Sequence, residues 1–436
     1  MDRRTKVVER VKSLLIVLLA CSAVLLASRT SLIRPLSDLL SPREDSGGAN
    51  VYRVPVQRLE MARPVAMAAL IPGEGRTLRY GVQYDTAACD ALFQQGASLL
   101  VEALSSAGTP RQIGRQEWER ALTEAPGLYF DFLGQLPLDV LAGWLSAPDC
   151  TLTGTARRMA LTVSDGQVLL CYHDTREEAY YACTAGVVNP DHLAQAVSGL
   201  SGNGAFFAFE TEEYAALAPD TLLLPEEPQL PVYQSADPLS GEGGGLASLM
   251  DDLYFSREST AFYSAGDEQV ARSGGESLRL SRRGVLEYSC DAGSDSRYVI
   301  GGPGADPTLT EVGEYCRYLA QQTVGARCGQ ARLYLARAEQ QGSALILEFE
   351  YCLNGAAVSL EGGSAASFQV ENGRVVQFTL RFRSYAAGDQ NTLLLPQRQA
   401  MAVLQQAGGS GRELRLVCVD QGGETAALQW AAGEED

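Results

Sequence analysis

The sequence predicts an α+β fold: mainly antiparallel sheet with packed helices, held outside a membrane by one N-terminal transmembrane helix. Three observations predict it. Most apolar positions recur with a period of two over short stretches, as half-buried strands require. The helical stretches are few, carry their own start signals, and do not alternate with strands as a βαβ repeat would. The single long apolar run lies at the extreme N-terminus, behind a cluster of positive charge.

That cluster is Arg3, Arg4, Lys6, Arg10 and Lys12, and the weakly polar to apolar run over 13–28 follows it, closed by Arg29 and Arg34. At 1.5 Å per residue the run spans about 24 Å, slightly under a hydrocarbon core of about 30 Å. Snorkelling by Lys12 and Arg29, with Leu32 and Ile33 beyond, makes up the difference. The expected order is a cytoplasmic basic segment (1–12), a transmembrane anchor (13–33) and a stalk (34–50), with the bulk of the chain extracytoplasmic by its charge bias. A cleaved signal peptide needs small residues at its cut, and LLASRTS offers no good pair. A lipid-modified Cys21 would leave apolar sequence running on past it to Leu26. Ala20, Ser22, Ala23 and Ala27, three and four residues apart, would permit close approach of a partner helix.

The first extracytoplasmic block is expected over 51–217. It opens with strands over 51–56 and 65–71. A helix over 86–106 follows, with Asp85 as N-cap and Ala88, Leu92, Leu99, Val101 and Leu104 on its apolar face. Next come a short element at Trp118, a strand over 128–132, a helix introduced by Pro137, and a strand over 158–163. QVLLCYHDTREEAYYACTA reads as a hairpin whose symmetric pairing sets Cys171 opposite Cys183, giving either a cross-strand disulfide or two buried thiols. Asn189-Pro190 starts a helix through Leu200, and AFFAFE is expected as the closing strand.

A Pro/Gly-rich stretch over 218–245 separates this block from a second, 246–436, whose further division near 303 is left open. There the pattern gives a short helix at 246, strands over 277–280 and 285–288, and a capping box at Thr308 to Glu311 opening a helix to 322. Strands follow over 332–336, 345–352, 356–360, 366–371 and 375–384, the last two joined by the hairpin signal Asn372-Gly373. Pro396 opens a helix to 406, and strands over 413–420 and 425–430 end the chain.

Charge narrows the function. The 436 residues carry a net −18, and from residue 35 onward 28 arginines face 51 acidic residues, a field that repels nucleic acid and anionic lipid. Lys6 and Lys12 are the only lysines, which removes Schiff-base, Ser/Lys and phosphate-loop chemistry from the outer blocks. Nine cysteines follow the anchor without a C-x-x-C pair, so no disulfide framework or zinc site is indicated. The two histidines, His173 and His192, are too few for a histidine metal site. His173 follows Cys171 by two residues, about 7 Å along a strand, too far to activate the thiol. Asp85, Asp90 and Asp131 are the candidate carboxylates for a wall hydrolase, but no spacing singles out a pair. Gly301-Gly302-Pro303-Gly304 lacks the lysine of a nucleotide cradle. No catalytic, cofactor or metal residue is expected, and no cofactor.

KSLLIVLLACSAVLLASR, RYGVQYDTAACDALF, GLYFDFLGQLPLDVLAGWL, NGAFFAFE, ESLRLSRRGVLEYS, FTLRFRSY and LLLPQRQAMAVL together resemble the YycH/YycI (WalH/WalI) family over nearly the whole chain. The resemblance rests on apolar patterning and aromatic strands, and the lysine-free outer blocks depart from it. It implies a single-span, non-enzymatic regulator in the cell membrane, whose partners are a sensor histidine kinase of a two-component system controlling the cell wall and a paralogous accessory protein. The competing expectations are an extracytoplasmic cell-wall hydrolase and an envelope ligand-binding module.

Overall fold

The computed structural model describes residues 61–433, apart from 148, 175, 241–243, 303 and 407–411. The expected anchor and stalk, the strand over 51–56, and Ala20, Ser22, Ala23 and Ala27 lie outside the described residues. No helix among the described residues is long and apolar enough to cross a membrane. The architecture is mixed α+β, dominated by two large sheets.

The first sheet is antiparallel and seven-stranded, in the order β2-β1-β4-β5-β6-β7-β3. Its strands are β1 (Ala66–Pro72), β2 (Thr77–Gln83), β3 (Arg111–Ile113), β4 (Gly127–Pro137), β5 (Thr155–Ser164), β6 (Gln167–Asp174) and β7 (Ala179–Thr184). Both faces are buried, and strand alternation divides them. Met67, Ala69, Phe130, Met159, Leu161 and Tyr172 join the main core on one face. Ala66, Ala68, Tyr129, Ala160 and Cys171 form a second cluster on the other, with Trp118 and Phe207.

Helix α1 (Thr86–Ser105) covers the main face. Asp85 caps it, its Oδ1 accepting from the Ala88 amide at 3.0 Å, an arrangement worth about 1 kcal/mol. It buries Leu92, Phe93, Leu99, Leu100 and Leu104, each apolar side chain contributing about 1.5–3 kcal/mol of transfer free energy. Helices α2 (Arg115–Ala121), α3 (Leu138–Leu145) and α4 (Pro190–Val197) complete the block.

Two strands, β8 (Phe206–Phe207) and β9 (Leu222–Leu223), form a separate ribbon. The expected strand AFFAFE stops at Phe207 because Glu210 folds back, its carboxylate accepting the Phe207 amide at 2.8 Å and closing a tight turn. The Pro/Gly stretch is also more structured than expected. Residues Pro231–Ala236 form β10 of the second sheet, with the proline at the first position of the strand, where a missing donor is tolerated.

The second sheet has thirteen strands: β10, β11 (Ala261–Ala265), β12 (Glu268–Ser273), β13 (Glu276–Leu280), β14 (Val285–Cys290), β15 (Arg332–Gln341), β16 (Ala344–Leu353), β17 (Ala356–Leu360), β18 (Ala366–Glu371), β19 (Arg374–Arg381), β20 (Ser384–Asn391), β21 (Glu413–Asp420) and β22 (Thr425–Gly433). All its pairings are antiparallel except β17 with β21. Helix α5 (Leu309–Gln322) begins at the expected capping box, with Thr308 Oγ1 accepting from the Glu311 amide and Glu311 accepting in return. Helix α6 (Gln397–Gln406) packs Ala400, Met401 and Leu404 against Leu217, Leu223 and Leu414.

The hairpin register corrects the cysteine pairing. Cys171 stands opposite Ala182, and Cys183 opposite Leu170. One residue of slip sends the two thiols to opposite faces of the sheet, Cys183 into the main core and Cys171 into the second cluster. Both are free and buried, so they do not form the disulfide the symmetric turn suggested.

Candidate functional site

The two sheets meet where each carries a β-bulge. Strand β4 pairs with β5 as far as Asp131↔Arg158 and resumes at Leu136↔Ala156, leaving residues 132–135 opposite Arg157 alone. Strand β15 pairs Leu335 with Phe349 and Arg337 with Glu348, leaving Ala336 extra. The bulges face each other. A Cβ added at Gly134 would lie 2.2 Å from the Ala336 carbonyl oxygen and 2.6 Å from its Cα, so only glycine permits this approach.

Beside the contact a charged cluster joins three parts of the chain. On β4, β5 and β6, the alternation that places Tyr129 and Ala160 on the second face places Asp131, Arg158 and His173 there too. Arg157, opposite the bulge, donates from Nε to Asp131 Oδ1 at 2.8 Å and from Nη1 and Nη2 to Glu413 at 2.6 and 2.9 Å. Arg158 Nη1 donates to Asp220 Oδ1 at 2.5 Å, and its Nη2 lies 2.9 Å from Glu413 Oε1. Glu413 opens β21 of the second sheet, while Asp220 belongs to the segment between the sheets. The cluster is a clamp holding three chain segments together through two guanidinium forks.

Burial and charge compete within it. Burial works against the Glu413 carboxylate, but Arg157 and Arg158 outweigh it and pull its pKa down to about 2. For Asp131 burial prevails over the same arginines and lifts the carboxyl above its ordinary range. His173 is buried, stacked on Tyr180 at 4.4 Å, with Nδ1 3.9 Å from Asp220 Oδ2. Burial holds it below the ordinary imidazole range, against the pull of Asp220.

Further contacts extend the junction. Arg332 of β15 makes a two-pronged pair with Asp90 of α1 at 3.0 and 2.7 Å. The Tyr84 hydroxyl accepts from the Leu416 amide at 2.9 Å. Thr310 of α5 donates to the Asp139 carbonyl of α3 at 3.1 Å. Between the bulges opens a cavity of about 510 Å³, whose wall includes Gln135, His173, Arg176, Arg337, Glu350 and Arg415.

The residues weighed in the sequence are not brought together for catalysis. Asp85 is a helix cap, Asp90 pairs from α1 with Arg332 of the second sheet, and Asp131 is engaged by two arginines. Burial raises the Cys171 thiol to about 12, so it is not a thiolate near neutrality. Among the described residues no group of three or more His, Cys, Asp or Glu is arranged to hold a metal ion. Sequence reasoning missed Arg157, Arg158, Asp220, Glu413 and Gly134. The signals were adjacent arginines inside the apolar strand TARRMALTV and a glycine inside LYFDFLGQLP, where strand glycines mark bulges or close backbone approach.

Two antiparallel-rich sheets with packed helices define a bipartite α+β scaffold. The crystal structure of YycH from Bacillus subtilis shares that scaffold, with a TM-score of 0.56, 11% sequence identity, and coverage of 88% of this chain and 96% of that one. The likeness is one of fold. No protein-family model and no curated protein sequence matches the chain.

Proposed function

We propose that the protein is a membrane-anchored, non-enzymatic regulator that modulates a sensor histidine kinase governing cell-wall metabolism. The observation that carries this is the likeness of fold to YycH, which covers 88% of this chain and 96% of the YycH chain. The resemblance of the sequence to the YycH/YycI family points the same way. The buried carboxylates support it as well, since they are committed to arginines that join the sheets. In this proposal the segment over 13–33 spans the membrane with the N-terminus inside, and its small face packs on a kinase helix. Binding that favours one kinase state shifts the signalling equilibrium by its differential affinity, without any bond being made or broken.

Photo-crosslinking from residues 20–27 in native membranes, followed by peptide identification, tests the proposal. Crosslinks to a histidine-kinase transmembrane helix are expected, with Ala20→Leu and Ala23→Leu lowering co-purification and changing kinase autophosphorylation. Lipid-only crosslinks, together with kinase output unaffected by deletion of the whole protein, would overturn it.

A further inference from the structure

We propose that the cavity between the two bulges is a binding site for a small carboxylate that also carries an N–H or O–H donor, the chemistry of an acylated amino acid or a peptide C-terminus. The inference is independent of the kinase reading and rests on which wall groups are already satisfied.

At about 510 Å³ the cavity falls within the range of about 300–1,000 Å³ typical of small-molecule sites. It is bounded by bulges, which commonly re-aim side chains beside functional sites. The acidic wall groups are occupied: Glu413 by Arg157 and Arg158, Glu339 and Glu348 by Arg337, and Glu350 is engaged too. Two guanidiniums have no carboxylate in ion-pair contact among the described residues. Among the described residues no carboxylate lies within 4 Å of Arg415, and its buried Nε has no acceptor. Among the described residues the Arg176 guanidinium donates only to the Ala338 carbonyl. Such guanidiniums match a carboxylate, which offers two acceptor oxygens to the planar fork. On the same wall, the buried Gln135 Oε1 accepts no hydrogen bond. An unsatisfied buried acceptor is costly, and a ligand N–H or O–H supplies the missing donor. The anionic and donor functions are therefore expected on one ligand.

The test is isothermal titration of the full-length protein in detergent with three probes: N-acetylalanine, its uncharged amide, and acetate. N-acetylalanine should bind at least tenfold more tightly than either of the others. Arg415→Gln should weaken it about tenfold. Gln135→Leu should weaken it severalfold while leaving acetate binding unchanged. Arg176→Gln, in an exposed turn, provides a second charge-removing variant should Arg415→Gln fail to fold, with the same tenfold loss expected. No heat of binding up to 10 mM, equal binding of acid and amide, or affinity unchanged in the foldable arginine variants would overturn the proposal. Equal competition by inorganic phosphate would reduce the cavity to a bare anion site and overturn it as well.

Discussion

Replacing Gly134 with alanine sets a methyl carbon 2.2 Å from the Ala336 oxygen, 2.6 Å from its Cα and 2.7 Å from its carbonyl carbon. Ordinary contact begins near 3.4 Å, so the β4 and β15 bulges must separate by about 1.2 Å. No side chain can rotate away to relieve this, because every obstacle is backbone. Overpacking costs about 1–3 kcal/mol, and a rigid obstacle places Gly134→Ala near the upper end, about 3 kcal/mol. At about 2 °C per kcal/mol for a large chain, Tm should fall by about 6 °C in differential scanning calorimetry. Gly186→Ala is the control: a Cβ there meets nothing within 4 Å, and Tm should hold. If the two variants melt within 1 °C of each other, the close approach is not what joins the sheets.

Three further outcomes follow from the same seam. Arg158→Met strands the buried carboxylate of Asp220, while Asp131 keeps Arg157, a loss of about 3–5 kcal/mol. The urea midpoint should drop sharply, while Arg282→Met, at an exposed pair, leaves it in place; equal shifts would refute the clamp. His173 has a folded pKa below the unfolded value of about 6.5, so the unfolded chain binds its proton first. Its contribution is fully present above pH 6.5 and is lost as pH falls from there towards the folded pKa, with a slope of at most about 1.4 kcal/mol per pH unit. His173→Gln should flatten that part of the stability profile, and an identical slope in the variant would exclude His173 as its source. Alkylation in denaturant without reductant should label both Cys171 and Cys183, whereas a linked pair of peptides would contradict the one-residue register.

The helix starts were legible because they are local. Asp85 and Thr308 cap helices through groups three residues away, and such contacts depend on nothing distant. The period-two strands were equally plain wherever one side chain in two is apolar, as in β18. Less legible were β2 and β11, the first mixing Arg79 and Tyr80 into its pattern, the second exposed along its whole length. The hairpin failed by one residue because turn symmetry does not fix register. Packing fixed it, setting Cys183 into the main core and Cys171 into the other face.

By itself, then, the sequence determined a strand-rich α+β chain, its capped helices, and the absence of lysine chemistry outside the first twelve residues. These follow from composition and from contacts a few residues apart. Only the tertiary structure decided that Asp131, Arg157, Arg158, Asp220 and Glu413 share one buried cluster, and that Gly134 meets Ala336. Arg157 and Glu413 are 256 positions apart, and no local pattern records which distant carboxylate will neutralise a buried guanidinium. That pairing is set by where the two bulges bring the sheets together, and burial then makes it strong.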